Sequence, residues 1–132
     1  MNADQRCIDP LEVMLENAGQ GVSYVDGMNF AAFCDDAKTQ HALSMTLIIV
    51  GEMASRIMRR NPQFVDLHPE MPRQQMTGMR NRIAHDYDSI DIKIVWEIAH
   101  ESLPALVREN PLILKPLLEK YDPPNLTPTP DS

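Results

Sequence analysis

The stretch "DDAKTQHALSMTLIIVGEMASRIMRR", residues 35–60, decides the fold class of this chain. Its apolar residues recur every three or four positions, which is the spacing of one face of an α-helix. These residues are Leu43, Leu47, Val50, Ala54 and Ile57, and Met45, Ile48, Ile49 and Met53 widen the apolar face. A helix that is apolar around much of its circumference lies at the centre of a bundle or in an interface between subunits. We predict a helix over 35–60 that ends at Asn61–Pro62, with arginines in its last turns.

The segment before this helix predicts two shorter elements. Pro10 suits the first turn of a helix that starts near Asp9, because its missing N–H is not needed there. Apolar residues follow at helical spacing, and we expect Gly19–Gly21 to end that helix. Met28–Asp35 is long enough for one or two helical turns.

The segment after it predicts further helices separated by proline. We expect a loop over Phe64–Arg73, a helix over Gln74–Asp86, and a helix over Ile90–Leu106 that is capped by Asp88 or Ser89. Pro104 should kink or close that helix, and Asn110–Pro111 should start another. No alternating strand pattern of useful length is found. The chain is therefore predicted to be all-α, with four or five helices connected up and down.

Length and composition indicate one domain over residues 1–121. The remaining residues 122–132, "DPPNLTPTPDS", are rich in proline and acidic, and we expect them to be a disordered tail. Two isolated cysteines, Cys7 and Cys34, are typical of a reduced protein. The first ten residues do not resemble a signal peptide, and the longest apolar run, Leu47–Val50, is too short to span a membrane. These features predict a cytoplasmic location.

The net charge of −7 restricts how this chain could contact RNA. Proteins that hold nucleic acid over a broad surface are normally basic, because the affinity comes from neutralising phosphates. Contact with RNA would therefore have to be local, through a cationic site in an acidic protein.

The sequence "MRNRIAHDYD", residues 79–88, is the candidate for such a site. Arg80 can hold phosphate oxygens with a planar, permanently charged fork, and His85 can transfer a proton near neutral pH. Together they suffice for RNA cleavage without a metal, in which the ribose 2′-OH attacks the adjacent phosphate. A solvated helix end that carries charges by chance is the alternative from composition alone.

The spacing of these residues limits the hypothesis. Arg80 and His85 are five residues apart, so on a regular helix they point about 140° away from each other. Arg80 and Tyr87 share a face. One histidine in a chain also cannot easily act as both base and acid, whereas a twofold dimer would bring two copies of His85 and Arg80 to one cleft. The apolar helix over 35–60 offers a surface for that dimer.

Other chemistries find little support in the residue pattern. The four histidines are His41, His68, His85 and His100, and no two of them have the i, i+4 spacing of a helical metal site. Gly51 and Gly78 stand alone, so no glycine-rich phosphate loop is present. We expect neither a metal nor another cofactor.

The segment "GMRNRIAHDYDSIDIKIVWEI", residues 78–98, resembles the HepT-like branch of the HEPN family. That branch carries an Arg, four residues, His, one residue, Tyr motif, which Arg80, His85 and Tyr87 match. "IVGEMASRI" (49–57) resembles the family's Gly-Glu helix and "SLPAL" (102–106) the end of its final helix. The resemblance covers about residues 5–107.

The resemblance implies a HEPN-like helical bundle that forms a homodimer, with the motif in a cleft between the chains. It implies a toxin ribonuclease with Arg80 and His85 as the catalytic pair. It further implies a minimal nucleotidyltransferase antitoxin that attaches AMP to Tyr87, in a complex that could be a larger hetero-oligomer. Asn81 would be a polar neighbour in the pocket.

Three features leave alternatives open. Glu52 matches the family's Gly-Glu glutamate, and it is either a site residue or a structural one, as a polar contact between helices or a cap partner. Arg73 stands where such sequences tend to carry an aromatic residue, and it either adds positive potential or is simply solvated. Residues 110–121 form an extra packed helix or a contact element for a partner. The rival function is a non-catalytic module that binds and regulates a nucleotidyltransferase.

Overall fold

The computed structural model describes residues 1–67 and 91–122 of the chain. A 3-10 turn at Gln5–Cys7 leads into α1, and two short helices accompany the longer ones. The helices are α1 (Ile8–Tyr24), α2 (Phe30–Cys34), α3 (Ala37–Arg60), α4 (Phe64–Leu67) and α5 (Ile92–Tyr121). No strand occurs in these two ranges. The prediction of an all-α protein is confirmed for the described part of the chain.

Helix α1 runs antiparallel to both α3 and α5. Arg60, the last residue of α3, donates to the carbonyl oxygen of Arg6 at 3.0 Å, just before α1 begins. At the far end of α5, Tyr121 Oη accepts from Asn2 Nδ2 at 2.9 Å. The core lies between these three helices and includes the fully buried Leu11 and Leu47. Because α3 and α5 are both antiparallel to α1, they run in the same direction, and the predicted up-and-down connection between them depends on residues 68–90, which lie outside the described ranges.

Side-chain caps mark the starts of three helices. Asn29 accepts from the backbone N–H of Ala32 and starts α2, and Asp36 accepts from the N–H of Thr39 at 3.0 Å and starts α3. Asp91 accepts from the N–H of Lys93 and starts α5. Such caps satisfy backbone donors that have no partner inside the helix. Both α2 and α3 begin two residues later than predicted, whereas the predicted end of α3 at Asn61 is confirmed.

The prediction that Gly19–Gly21 ends the first helix is wrong, since α1 continues to Tyr24. Gly21 is buried where α1 passes between its neighbours. A Cβ atom on Gly21 would lie 2.6 Å from Leu103 Cδ1 and 3.1 Å from Thr46 Cγ2. The glycine therefore serves the close approach of three helices, and the packing on both sides outweighs its low helix propensity.

The predictions that a helix closes near Pro104 and that another starts at Asn110–Pro111 are also wrong, because α5 is one helix of 30 residues that contains Pro104, Pro111 and Pro116. Each proline removes the hydrogen bond to the carbonyl four residues earlier. Those carbonyls belong to residues with exposed or half-buried side chains: His100, Val107 and Leu112. The buried side of α5 keeps its three- and four-residue spacing across the prolines: Val95, Ala99, Leu103, Leu106, Asn110, Ile113 and Leu117.

Residues 110–121 are thus a packed part of α5 rather than a separate helix. Ile113 and Leu117 belong to the buried core, whereas the side chain of Leu112 is 59 % exposed. The helix of which they are part begins at Ile92, with Asp91 as its cap, and not at Ile90.

The predicted loop over Phe64–Arg73 begins instead with the short helix α4. Phe64 is fully buried, and its N–H donates to the carbonyl of Asn61 at 3.0 Å. This anchor holds the chain close to the end of α3.

Several predictions concern residues outside the described ranges. These are the rest of that loop, the helix over Gln74–Asp86, the caps Asp88 and Ser89, and the tail from residue 123 onward. In the described part, Cys7 is buried and Cys34 is exposed, and both are free thiols. No described helix is long and apolar enough to cross a membrane.

Candidate functional site

The four motif residues Arg80, Asn81, His85 and Tyr87 lie outside the described ranges. Along the chain, α5 begins five residues after Tyr87, and its cap is Asp91. The assignment of Arg80 and His85 as a catalytic pair, with Asn81 beside them, stays a prediction.

Glu52 lies in the described part, on the outer side of α3. Its Oε1 atom is 3.6 Å from Arg56 Nε and 3.5 Å from Arg59 Nη2, and half of its side chain is exposed. Both partners belong to the same helix, at spacings of four and seven residues. Of the roles predicted for Glu52, the contact between helices is not seen in the described residues, because Glu52 pairs within α3.

The arginines at the end of α3 have different surroundings. Arg59 Nη1 donates to Ser55 Oγ at 3.2 Å, while Arg60 reaches the carbonyl of Arg6. The side chains of Arg56 and Arg59 are 45 % and 62 % exposed. An exposed guanidinium keeps its charge at every working pH and presents donors that match phosphate oxygens.

An aromatic cluster covers the start of α5, and the sequence patterns did not predict it. The ring of Trp96 lies 5.1 Å from that of Phe33 and 4.0 Å from that of His100, measured between centroids. His100 Nδ1 is 2.8 Å from the carbonyl oxygen of Trp96. A carbonyl oxygen can only accept a hydrogen bond, so Nδ1 carries the proton in this contact. In the neutral ring Nε2 is then the nitrogen that can accept a hydrogen bond. The sequence feature that could have indicated this cluster is the four-residue spacing of Trp96 and His100, which places two side chains on the same side of a helix.

A groove of about 290 Å³ lies beside this cluster, between the end of α1 and α5. Val22, Val25, Met28 and Pro104 are among the apolar residues of its wall, together with Gly27 and Ala99. Asp26 and His100 are its titratable residues. Glu52, the described residue of the predicted ribonuclease site, does not line it.

Among the described residues, two ionisable groups have displaced pKa values, and neither indicates a catalytic residue. Burial of the Cys7 thiol, with the carboxylate of Asp4 nearby, raises its pKa to about 11, so Cys7 is not an activated nucleophile. Hydrogen bonds from the hydroxyl and N–H of Thr39 lower the pKa of Asp36, which caps α3. Within the two described ranges, no group of three His, Cys, Asp or Glu residues is placed to hold a metal ion.

Comparison with known proteins identifies the family. A family model described as "Ribonuclease HepT-like" matches residues 14–110, which include both Glu52 and the whole motif at 79–88. The chain belongs to the HepT-like ribonuclease family. The resemblance and the ribonuclease class predicted from the sequence are thereby confirmed.

Curated relatives of this HepT-like chain are also named as ribonucleases. A protein of Thermococcus cleftensis named "Probable ribonuclease HepT" is 31 % identical over 96 residues, which cover 70 % of this chain and 84 % of the relative. A protein of Methanocaldococcus jannaschii named "Putative RNase" is 30 % identical over 73 % of this chain and 85 % of its own length. Another "Putative RNase", from Caldanaerobacter subterraneus, is 26 % identical over 83 % and 92 %. No solved structure is a significant match.

Proposed function

We propose that this HepT-like chain is the toxin of a toxin–antitoxin pair and cleaves RNA without a metal ion, with Arg80 and His85 as its catalytic residues. The observation that carries the proposal is the spacing of Arg80, His85 and Tyr87 inside a segment matched to a ribonuclease family. The substrate is RNA, and the reaction takes place in the cytoplasm.

The proposed reaction uses the RNA's own 2′-OH as nucleophile. The 2′ oxygen loses its proton and bonds to the adjacent phosphorus, the bond from phosphorus to the 5′ oxygen breaks, and that oxygen takes up a proton. His85 transfers protons in this step, because an imidazole ionises near neutral pH. Arg80 holds the negative charge that develops on the phosphate oxygens. Asn81 and Glu52 support the pocket.

A homodimer would supply the second proton-transfer group. The outer side of α3 exposes two large apolar side chains, Met45 at 58 % and Ile48 at 42 %. Exposed apolar residues grouped on one helix face favour association, and twofold dimers are the commonest oligomers. We place the dimer contact at Met45 and Ile48, which lie one turn apart on α3.

The proposed antitoxin is a minimal nucleotidyltransferase that transfers AMP to the hydroxyl of Tyr87. Tyr87 is two residues from His85, so a nucleotide on its side chain would obstruct the same site. The two proteins would form a hetero-oligomer that contains the toxin dimer.

Expression of the chain alone and together with its neighbouring open reading frame tests this function. Growth arrest and RNA degradation are expected from the chain alone, and neither is expected from His85→Ala or Arg80→Ala protein that still folds. Co-expression should add the mass of AMP to the wild type and not to Tyr87→Phe. RNA cleavage by purified His85→Ala protein would refute the catalytic assignment.

The net charge of −7 favours one second candidate, a non-catalytic module that binds and regulates a nucleotidyltransferase. An acidic surface repels RNA but suits a protein partner. Neither AMP on Tyr87 nor RNA cleavage is required of such a module. A stable complex with the neighbouring gene product, without either activity, would support it.

A further inference from the structure

Charge is separated between the helices of this acidic protein. Helix α3 carries Lys38, Arg56, Arg59 and Arg60 against the single carboxylate of Glu52, a net charge of +3. Helix α1 carries Asp9, Glu12 and Glu16 and no lysine or arginine, a net charge of −3. The whole chain has a net charge of −7. The surface of α3 is therefore a local basic surface of the kind that an acidic RNA-binding protein requires.

Two of these cations stand together on the exposed side of α3. Arg56 and Arg59 are three residues apart, which places them side by side on a helix surface. Both face Glu52 Oε1, at 3.6 Å from Arg56 Nε and 3.5 Å from Arg59 Nη2. Close charge-assisted hydrogen bonds are about 2.7–2.9 Å long, and both of these distances are longer. The pairs therefore orient the guanidinium groups without forming close hydrogen bonds.

Donors on both side chains are left for another ligand. In the described part of the structure, Arg56 is contacted only through Nε, and its two Nη groups have no protein partner. Arg59 uses Nη1 on Ser55 Oγ and Nη2 on Glu52. One carboxylate shared by two guanidinium groups leaves a net positive charge at a surface in contact with water.

We propose that Arg56 and Arg59 bind phosphates of the RNA backbone, outside the Arg80 and His85 motif. Arginine suits this ligand because its planar fork pairs with two phosphate oxygens at once. The inference rests on the proposed function, since it takes RNA as the ligand. It adds a binding surface on α3 that holds the strand by its backbone, without regard to base sequence.

The simpler role for these arginines is stabilisation of α3 by its helix dipole, which favours cations in the last turn. That role would make Arg56 and Arg59 important for melting temperature and unimportant for RNA affinity. Binding and stability therefore have to be measured on the same variants.

The test uses the full chain and a fluorescent single-stranded RNA with 2′-O-methyl riboses, which cannot be cleaved by 2′-OH attack. The variant Arg56→Gln/Arg59→Gln is compared with Lys115→Gln/Lys120→Gln, which removes the same charge from exposed positions on α5. The Arg56→Gln/Arg59→Gln variant should bind this RNA about tenfold more weakly than the wild type. It should also lower the slope of log affinity against log salt by about 1.4, which corresponds to two phosphates on a single strand. The affinity of the Lys115→Gln/Lys120→Gln variant should differ from that of the wild type by less than about twofold.

Equal affinity and salt slope for the two double variants would overturn the proposal, as would the absence of RNA binding by the wild type. If the glutamine pair does not fold, Arg56→Lys/Arg59→Lys should keep the salt slope and bind more weakly than wild type, because lysine lacks the fork. Loss of the antitoxin complex with unchanged RNA binding would assign the surface to a protein partner, against the proposal. A wild type that binds this RNA through the arginines yet cleaves no RNA would refute the proposed function alone.

Discussion

Asn110 couples α5 to α1 through one buried polar group. Its side chain has no exposed surface, and its Nδ2 donates to the carbonyl oxygen of Leu11 at 3.1 Å. Its Oδ1 has no hydrogen-bond partner among the described residues. Only one alignment of α5 along α1 brings this buried donor to its acceptor. The hydrogen bond therefore favours one register of the two helices. Pro111 follows Asn110 directly and has no N–H to donate to a backbone carbonyl. Helix α5 continues through it all the same.

Replacing Asn110 by aspartate should destabilise the protein strongly at pH 7, by about 3 kcal/mol or more, because it buries a charge beside a carbonyl oxygen. Burial would raise the folded-state pKa of this carboxyl above its unfolded value of about 3.9. The penalty should therefore be small at low pH, where the group is protonated in both states, and should grow as the pH rises. Thermal melting between pH 3 and 7 measures it.

Asn110→Leu is the control for that experiment, since it keeps the branched shape but removes both polar atoms and cannot ionise. We expect its effect on stability to be the same at every pH, because no titrating group is introduced. A loss from Asn110→Asp that is independent of pH would mean that the site is not sealed from water.

At the scale of elements, glycines in α1 have two different roles. Gly21 lies against Leu103, Thr46 and Leu43, whereas a Cβ atom on Gly19 would meet nothing within 4 Å. Both are helical, and both lower the helix propensity of α1. Packing therefore requires a glycine at position 21 only.

The pair Gly21→Ala and Gly19→Ala should change stability in opposite directions. Gly21→Ala should destabilise by about 1–3 kcal/mol, because the added methyl must displace Leu103 and Thr46 in a packed core. Gly19→Ala should stabilise by about 0.5–1 kcal/mol through helix propensity alone. Urea denaturation of the two variants measures both values, and a gain from Gly21→Ala would contradict the close approach of the helices.

The cap of α3 should contribute a pH-dependent part of the stability. Hydrogen bonds from Thr39 lower the pKa of Asp36, so the ionised cap stabilises the fold above the unfolded pKa of about 3.9. That contribution is lost as the pH falls through the folded pKa. Asp36→Asn keeps a capping side chain but cannot ionise. Wild type should be more stable than this variant at pH 7, and the difference should vanish in acid; a constant difference would refute the assignment.

At the scale of the whole molecule, α3 serves two surfaces. One side carries fully buried residues that pack on α1, such as Leu43 and Leu47, and the other exposes Met45 and Ile48. From Met45 to Arg59 this outer side changes from apolar to charged. The proposed dimer contact and the proposed phosphate-binding surface therefore lie on one helix, with about two turns between Ile48 and Arg56.

If α3 forms the dimer contact, Ile48→Glu should convert the protein to a monomer, because it places a charge in an apolar interface. Leu112→Glu is the matched control, since Leu112 is an exposed apolar residue on α5 with 59 % of its surface accessible. Light scattering after size-exclusion chromatography should give a dimer for wild type and for the control. A dimer that persists in Ile48→Glu would refute the contact at α3.

Parts of the proposed site could be predicted from the sequence because they depend on short spacings. The motif of Arg80, His85 and Tyr87 spans eight positions, and the pairing of Glu52 with Arg56 follows from a four-residue step along a helix. The groove beside Asp26 and His100 joins α1 to α5, more than seventy residues apart in the chain. No local pattern indicates such a pairing, because it depends on how the helices pack.

The sequence by itself determined the helical class, the family and the end of α3 at Asn61, because periodicity, motif spacing and helix-stop signals act over short stretches of chain. Only the tertiary structure decided that α1 continues past Gly21 and that α5 continues past three prolines. An interior glycine costs about 1 kcal/mol and an interior proline about 3 kcal/mol in an isolated helix. Buried side chains such as Leu103 and Leu106 offset those costs by contacts with residues far away in the chain. The ends of these helices therefore follow from packing rather than from local propensity.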